Sequence, residues 1–64
     1  MNNFYKFGYV DLENRVSRVF NCTAPNLDVA FYFFGKEMER RHGYNAPDKL
    51  ALSEVRENGV EIAW

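Results

Sequence analysis

Hydrophobic and polar residues alternate with a period of two over residues 4–10, change to a helical period over residues 26–43, and return to a period of two from residue 50 onward. In the first stretch Tyr5, Phe7 and Tyr9 share one face, while Phe4, Lys6, Gly8 and Val10 share the other. That pattern predicts a strand in a sheet with one covered face. Residues 1–3 precede it as a short end expected to fray. Asp11-Leu12-Glu13-Asn14 supplies turn-forming side chains and predicts a four-residue hairpin loop. On the returning strand, residues 15–23, Val16, Phe20 and Cys22 alternate onto one face, but Arg18 interrupts them and Val19 falls on the opposite side. Two readings stay open: a bulge near Arg18, or an Arg18 stem laid across the sheet edge with its head in water.

Residues 26–43, NLDVAFYFFGKEMERRHG, predict the only helix. Pro25 favours an extended entry, Asn26 can cap the first turn, and Asp28 suits the positive end of the dipole. Lys36, Arg40 and Arg41 place positive charge toward the other end, and Gly43 can terminate the helix. At about 100° per residue, Leu27, Ala30, Phe31, Phe34 and Met38 fall on one stripe, which is expected to face the core. Gly35 flanks the stripe and predicts close approach of a strand, at about 1 kcal/mol in helix propensity relative to Ala. The far side carries Val29, Tyr32 and Phe33, with Lys36 and Arg40 in the next turns, where an ordinary surface helix is polar. Either a flanking loop or Trp64 folds over these aromatics, or they form a contact patch of the kind found at interface hot spots.

Residues 43–49 read as a loop from their Gly, Asn, Pro and Asp content. Residues 50–57 and 60–64 form a second hairpin around Asn58-Gly59, a pair suited to the two positive φ angles of a type I′ turn. The resulting register sets Glu57 against Val60, Arg56 against Glu61, Val55 against Ile62 and Ser53 against Trp64. Val55, Val60, Ile62 and Trp64 are expected under the helix. Arg56 and Glu61 are expected to pair across the strands, worth ~0.2–1 kcal/mol, on an open face shared with Phe4, Lys6, Val19 and Leu52. The order is ββαββ: an α+β domain spanning residues 1–64, with an antiparallel sheet covered on one face by a single helix.

Composition sharpens this picture. A chain of 64 residues is marginal by size, and its single cysteine allows no internal disulfide. Dense aromatic packing or a homodimer has to compensate, and one Trp, four Tyr and six Phe supply the aromatics. Eight Lys and Arg against nine Asp and Glu give a net charge of −1, so there is no general electrostatic attraction to nucleic acid or anionic lipid. The start lacks the pattern of a signal peptide, and no apolar run nears the ~20 residues of a membrane span. A cytoplasmic protein without a membrane partner is expected.

Catalytic chemistry is not expected. Cys22 sits among apolar strand neighbours, where thiols are inert, and His42 reads as a dipole partner or surface residue at the helix end. Neither has companions for a nucleophilic site or a metal, and no cofactor is implied. Glu37, Glu39, Glu54, Glu57 and Glu61 read as a solvated face.

Phe7-Gly8-Tyr9-Val10 resembles the middle of the RNP1 signature of RNA recognition motifs, in which strand aromatics stack on bases. The match covers about eight positions, with Lys6 where the first glycine belongs, Tyr5 where the basic residue belongs and Leu12 where the final aromatic belongs. It lies on the first strand rather than the third. The resemblance implies an alternative nucleic-acid surface of Phe7, Tyr9, Arg15 and Arg18. In length and architecture the whole chain resembles the small accessory proteins of phages and mobile elements, anti-CRISPR proteins among them. That resemblance implies a stoichiometric inhibitor which occupies a surface of a host or defence complex. The leading expectation is a non-enzymatic protein-binding module acting through Val29, Tyr32, Phe33, Lys36 and Arg40.

Overall fold

The expected ββαββ, α+β architecture is the one the chain adopts. A computed structural model describes residues 2–64 and contains β1 (Asn3–Asp11), β2 (Val16–Ala24), α1 (Leu27–His42), α2 (Ala46–Lys49), β3 (Leu50–Glu57) and β4 (Val60–Glu61). Met1 lies outside the described residues. Asn3 does not fray; it begins β1, and its side-chain oxygen accepts from Asn58 Nδ2 at 3.1 Å. The four strands form one antiparallel sheet in the order β2-β1-β3-β4.

Helix α1 begins and ends where its capping residues dictate. Asn26 is extended, and its side-chain oxygen accepts the Val29 N–H at 3.0 Å. At the other end the Gly43 N–H donates to the Glu39 carbonyl at 2.7 Å. The expected stripe faces inward: Ala30, Phe34 and Met38 are buried, with Leu27 and Phe31 half-buried beside them. They meet Tyr5, Phe7 and Tyr9 of β1 and Val55 of β3. The Phe34 ring stacks on Phe7 at 4.7 Å between centroids and meets Tyr9 edge-on at 5.5 Å; Phe31 meets Phe7 edge-on at 5.0 Å. This aromatic cluster is the dense packing that so short a chain requires.

Several local expectations are corrected. The first hairpin's loop is Leu12–Arg15, one residue later than expected, because Asp11 stays in β1 and its side chain organises the turn. Of the two readings of Arg18, the bulge is absent: β1 and β2 pair in unbroken register with Tyr9 opposite Arg18. Arg18 lies along the helix-covered face and donates from Nε to Asp11 Oδ2 at 3.2 Å. The bulge falls in β3, where the register shifts between Gly8 and Tyr9 and leaves Ser53 unpaired. The Ser53 hydroxyl donates to the Gly8 carbonyl at 2.9 Å. One extra residue inverts the side-chain phase, so Leu52 sits opposite Tyr9 and packs on the core rather than on the open face.

The second hairpin turns at Asn58-Gly59 as expected, with φ of 52° and 86°, and the pairs Arg56–Glu61 and Glu57–Val60 form. β4 is two residues long, so the expected pairing of Ser53 with Trp64 does not occur. Ile62 and Val55 pack on the core, whereas Val60 and Trp64 are exposed and not under the helix. The expected Arg56–Glu61 ion pair is also absent: Arg56 Nε bonds Glu54 on its own strand at 3.2 Å, and Nη1 donates to the Gly59 carbonyl. Since Gly59 holds a left-handed conformation, Gly59→Ala is expected to cost about 1–2 kcal/mol. A fall in the urea midpoint with an unchanged m-value checks this.

The expected loop at residues 43–49 contains α2, a single turn with Pro47 near its start and Asp48 in its first turn. α2 packs on α1 and β3, while α1 packs on β2 and β1. No helix among the described residues is long and apolar enough to cross a membrane.

Candidate functional site

One helix cannot cover a four-stranded sheet. α1 lies over the β2–β1 half, and α2 packs against α1 and β3. Between α1 and α2 is an open, mainly apolar groove of about 500 Å³. Phe31, Phe34 and Met38 line it from the helix, and Ala46, Pro47 and Leu50 from the α2 side. Tyr32, Lys36, Glu39 and Tyr44 also line it. Tyr44 is 96% exposed and Tyr32 is 60% exposed. The Lys36 ammonium lies 5.6 Å from the Tyr32 ring centroid, within cation–π range.

Gly35 belongs to the same wall. It was expected to admit a strand, but apart from its chain neighbours and the backbone of its own helix, nothing lies within 4 Å of where its Cβ would be. The helix carries a propensity cost of about 1 kcal/mol at this position, and no packing contact in the fold requires it. Gly35→Ala is therefore expected to raise stability by up to about 1 kcal/mol, seen as a higher urea midpoint.

The sequence-derived contact set divides around the helix. Tyr32 and Lys36 line the groove, whereas Val29, Phe33 and Arg40 do not. Val29 is half-buried and packs against the core instead of facing away from it. Phe33 is 41% exposed, so neither Trp64 nor a loop closes over it or Tyr32. Arg40 is exposed and forms a two-point pair with Glu37, whose Oε2 also accepts from Arg41 Nε at 2.8 Å. The Arg40 and then the Arg41 hydrogen bonds hold the Glu37 carboxyl down at about 2. Tyr44, Pro47, Gly35 and Leu50 were missed as site residues. The Gly-Tyr-Asn-Ala-Pro run was legible as a loop, but its position against α1 is a tertiary fact.

The alternative set does not assemble a base-stacking surface. Phe7 and Tyr9 are fully buried under α1, so no ring face is open to a nucleotide. Arg18 is paired with Asp11, and Arg15 stands exposed in the turn with φ of 57°. The RNP1-like run is a core strand here: its aromatics point toward the helix because the covered face is theirs.

A second, polar cleft of about 290 Å³ lies at the far end of β1, lined by Asp11, Asn14, Arg18, Arg41 and His42. Its carboxylate is fully engaged. Asp11 Oδ1 accepts the Glu13 and Asn14 N–H groups at 3.1 Å, and Oδ2 accepts Asn14 Nδ2 at 2.9 Å and Arg18 Nε at 3.2 Å. These bonds, those of Asn14 foremost, hold the Asp11 carboxyl down at about 2 against the cost of burial. His42 is not the surface residue expected: its side chain is only 6% exposed, with Nδ1 3.7 Å from Glu13. Its Nε2 and the Tyr9 hydroxyl are buried without a hydrogen-bond partner among the described residues. Cys22 is half-buried, and burial pushes its thiol up from the usual range, which disfavours the thiolate. Among the described residues, no group of three or more His, Cys, Asp or Glu side chains is placed to hold a metal ion.

Comparison of the chain with protein-family models, with curated proteins and with solved structures finds no match.

Proposed function

We propose that this chain is a non-enzymatic binding module that takes an apolar segment of a partner protein into the groove between α1 and α2. The observation that carries this reading is Gly35, a helix-interior glycine facing open space in the wall of an apolar groove. The fold makes no use of the missing Cβ, whereas a partner chain approaching the helix backbone would. Tyr32 and Tyr44 supply large, exposed aromatic surface beside the groove, and Lys36 supplies a charge that also bears on the Tyr32 ring. Aromatics flanking an apolar depression are the composition of binding hot spots.

The finer form of the proposal is stoichiometric inhibition, with the module occupying a surface of a host or defence complex. Its support is general: a compact domain with surplus exposed aromatics, resembling small phage inhibitors in length and architecture. The test is affinity capture with tagged protein from bacterial lysate, with and without nuclease, comparing wild type with Gly35→Leu. The leucine side chain starts from a Cβ position that meets no packing contact and adds bulk to the groove wall. The expected result is a protein partner recovered equally in both nuclease arms by the wild type, and lost with Gly35→Leu while the far-UV spectrum and melting are retained. Equal recovery by the variant would remove the groove from the proposal. Recovery that disappears with nuclease would move the reading to nucleic acid.

A further inference from the structure

We infer that the outer edge of β2 is a homodimer interface, at which two copies pair their β2 strands antiparallel into one continuous eight-stranded sheet. The inference is independent of the groove, which lies on the other side of α1.

The free backbone groups of β2 follow from the ladder. Asn58 N–H donates to the Phe4 carbonyl and Leu12 N–H donates to the Lys49 carbonyl, so the even residues of β1 turn their backbone groups toward β3. The odd residues of β1 then turn theirs toward β2. Through the register these meet Val16, Arg18, Phe20, Cys22 and Ala24. What remains are Ser17, Val19, Asn21 and Thr23, whose N–H and C=O groups point away from the sheet at its open end.

Edge strands of monomeric proteins are blunted by short length, a bulge, proline, charge on the edge or an inward-pointing charge. Of these β2 has only the inward charge of Arg18, which Asp11 neutralises. It is nine residues long, contains no proline and runs in unbroken register. Its one charged residue, Arg18, is turned onto the covered face to meet Asp11. The opposite edge of the sheet contrasts with it, since β4 ends after two residues.

A second copy of β2 fits this edge. With the two-fold axis at Phe20, Val19 of one copy lies opposite Asn21 of the other, and Ser17 opposite Thr23. All four outward-facing residues thereby exchange both backbone hydrogen bonds. Phe20 meets its own counterpart as a close, non-hydrogen-bonded pair on the helix-covered face, an aromatic cross-strand contact. Arg18 lies opposite Cys22, so no like charges face each other. The exposed Val19 side chain becomes a cross-strand neighbour on the open face.

Sedimentation over a wide concentration range, with amide exchange read residue by residue, tests the inference. Wild type is expected to show dimer mass that dissociates on dilution. At high concentration the Ser17, Val19, Asn21 and Thr23 amides are expected to be protected. Asn21→Pro removes an outward N–H that the β1–β2 ladder does not use, so it is expected to abolish the dimer and leave far-UV spectrum and melting near those of the wild-type monomer. Val19→Lys places a charge on the edge without altering the backbone and is expected to do the same. A strict monomer at every concentration, with those four amides exchanging freely, would overturn the inference. So would a dimer that persists in both folded variants, since it would use another face.

Discussion

Phe34→Ala is expected to eliminate the cooperative unfolding transition. Phe34 joins both layers of the core: it stacks on Phe7, meets Tyr9 edge-on, and lies 5.9 Å from Phe20 on the edge strand. Truncating a buried Phe costs about 3–5 kcal/mol in lost transfer energy and residual cavity. Domains hold about 0.05–0.15 kcal/mol of net stability per residue, which for this chain is on the order of 3–10 kcal/mol. One side chain is therefore comparable with the whole margin. The groove adjoining Phe34 is open, so the cavity would fill with water rather than collapse. Near-UV circular dichroism through a thermal ramp checks the prediction: loss of the sharp transition is expected, with part of the far-UV helical signal retained. A variant that melts within a few degrees of wild type would show that the aromatic cluster repacks around the loss.

The second large effect is acid sensitivity carried by Asp11. This carboxylate is buried, fully hydrogen-bonded, and held at about 2 in the folded protein, below the value of about 3.9 for a free Asp. A group whose value is depressed on folding stabilises the native state above its unfolded value. That stabilisation is lost as pH falls through the folded value. Melting temperature is thus expected to be level above about pH 5 and to fall between about 4 and 2. Asp11→Ala is expected to melt well below wild type at neutral pH, because two backbone N–H groups, the Asn14 amide and the Arg18 guanidinium lose their acceptor together. The variant should also lose much of the acid slope. Glu37 is held at about 2 as well, so Glu37→Gln is the necessary comparison. Its side chain is 21% exposed where that of Asp11 is 2%, and its removal should change the slope less. Parallel acid curves for wild type and Asp11→Ala would assign the sensitivity elsewhere.

The same residue shows where local reading stops. Asp11 and Asn14 were legible as turn formers, and Arg18 as an anomaly in an apolar alternation. That one carboxylate holds both the turn and the arginine required the hairpin to close and bring Arg18 beside it. Gly35 is the corresponding case in the candidate site. Its cost to the helix was legible, but its reason was assigned to a strand that does not approach. Only the docking of α2 beside α1 decides that this position borders a groove.

Features set by neighbours a few residues away were determined by the sequence alone. The alternation in β1, the stripe of α1 with its Asn26 and Gly43 ends, and the Asn58-Gly59 turn all follow from local periodicity and backbone preference. Those features dictate the ββαββ order. The tertiary structure alone decided the features that depend on a partner strand or a packed neighbour. The bulge at Ser53, which turns Leu52 inward, is set by pairing with β1. The burial of Phe7 and Tyr9, which removes the base-stacking surface, is set by which face α1 covers. The groove exists because of where α2 docks beside α1, and the β2 edge is open because the strand order leaves β2 with a single neighbour.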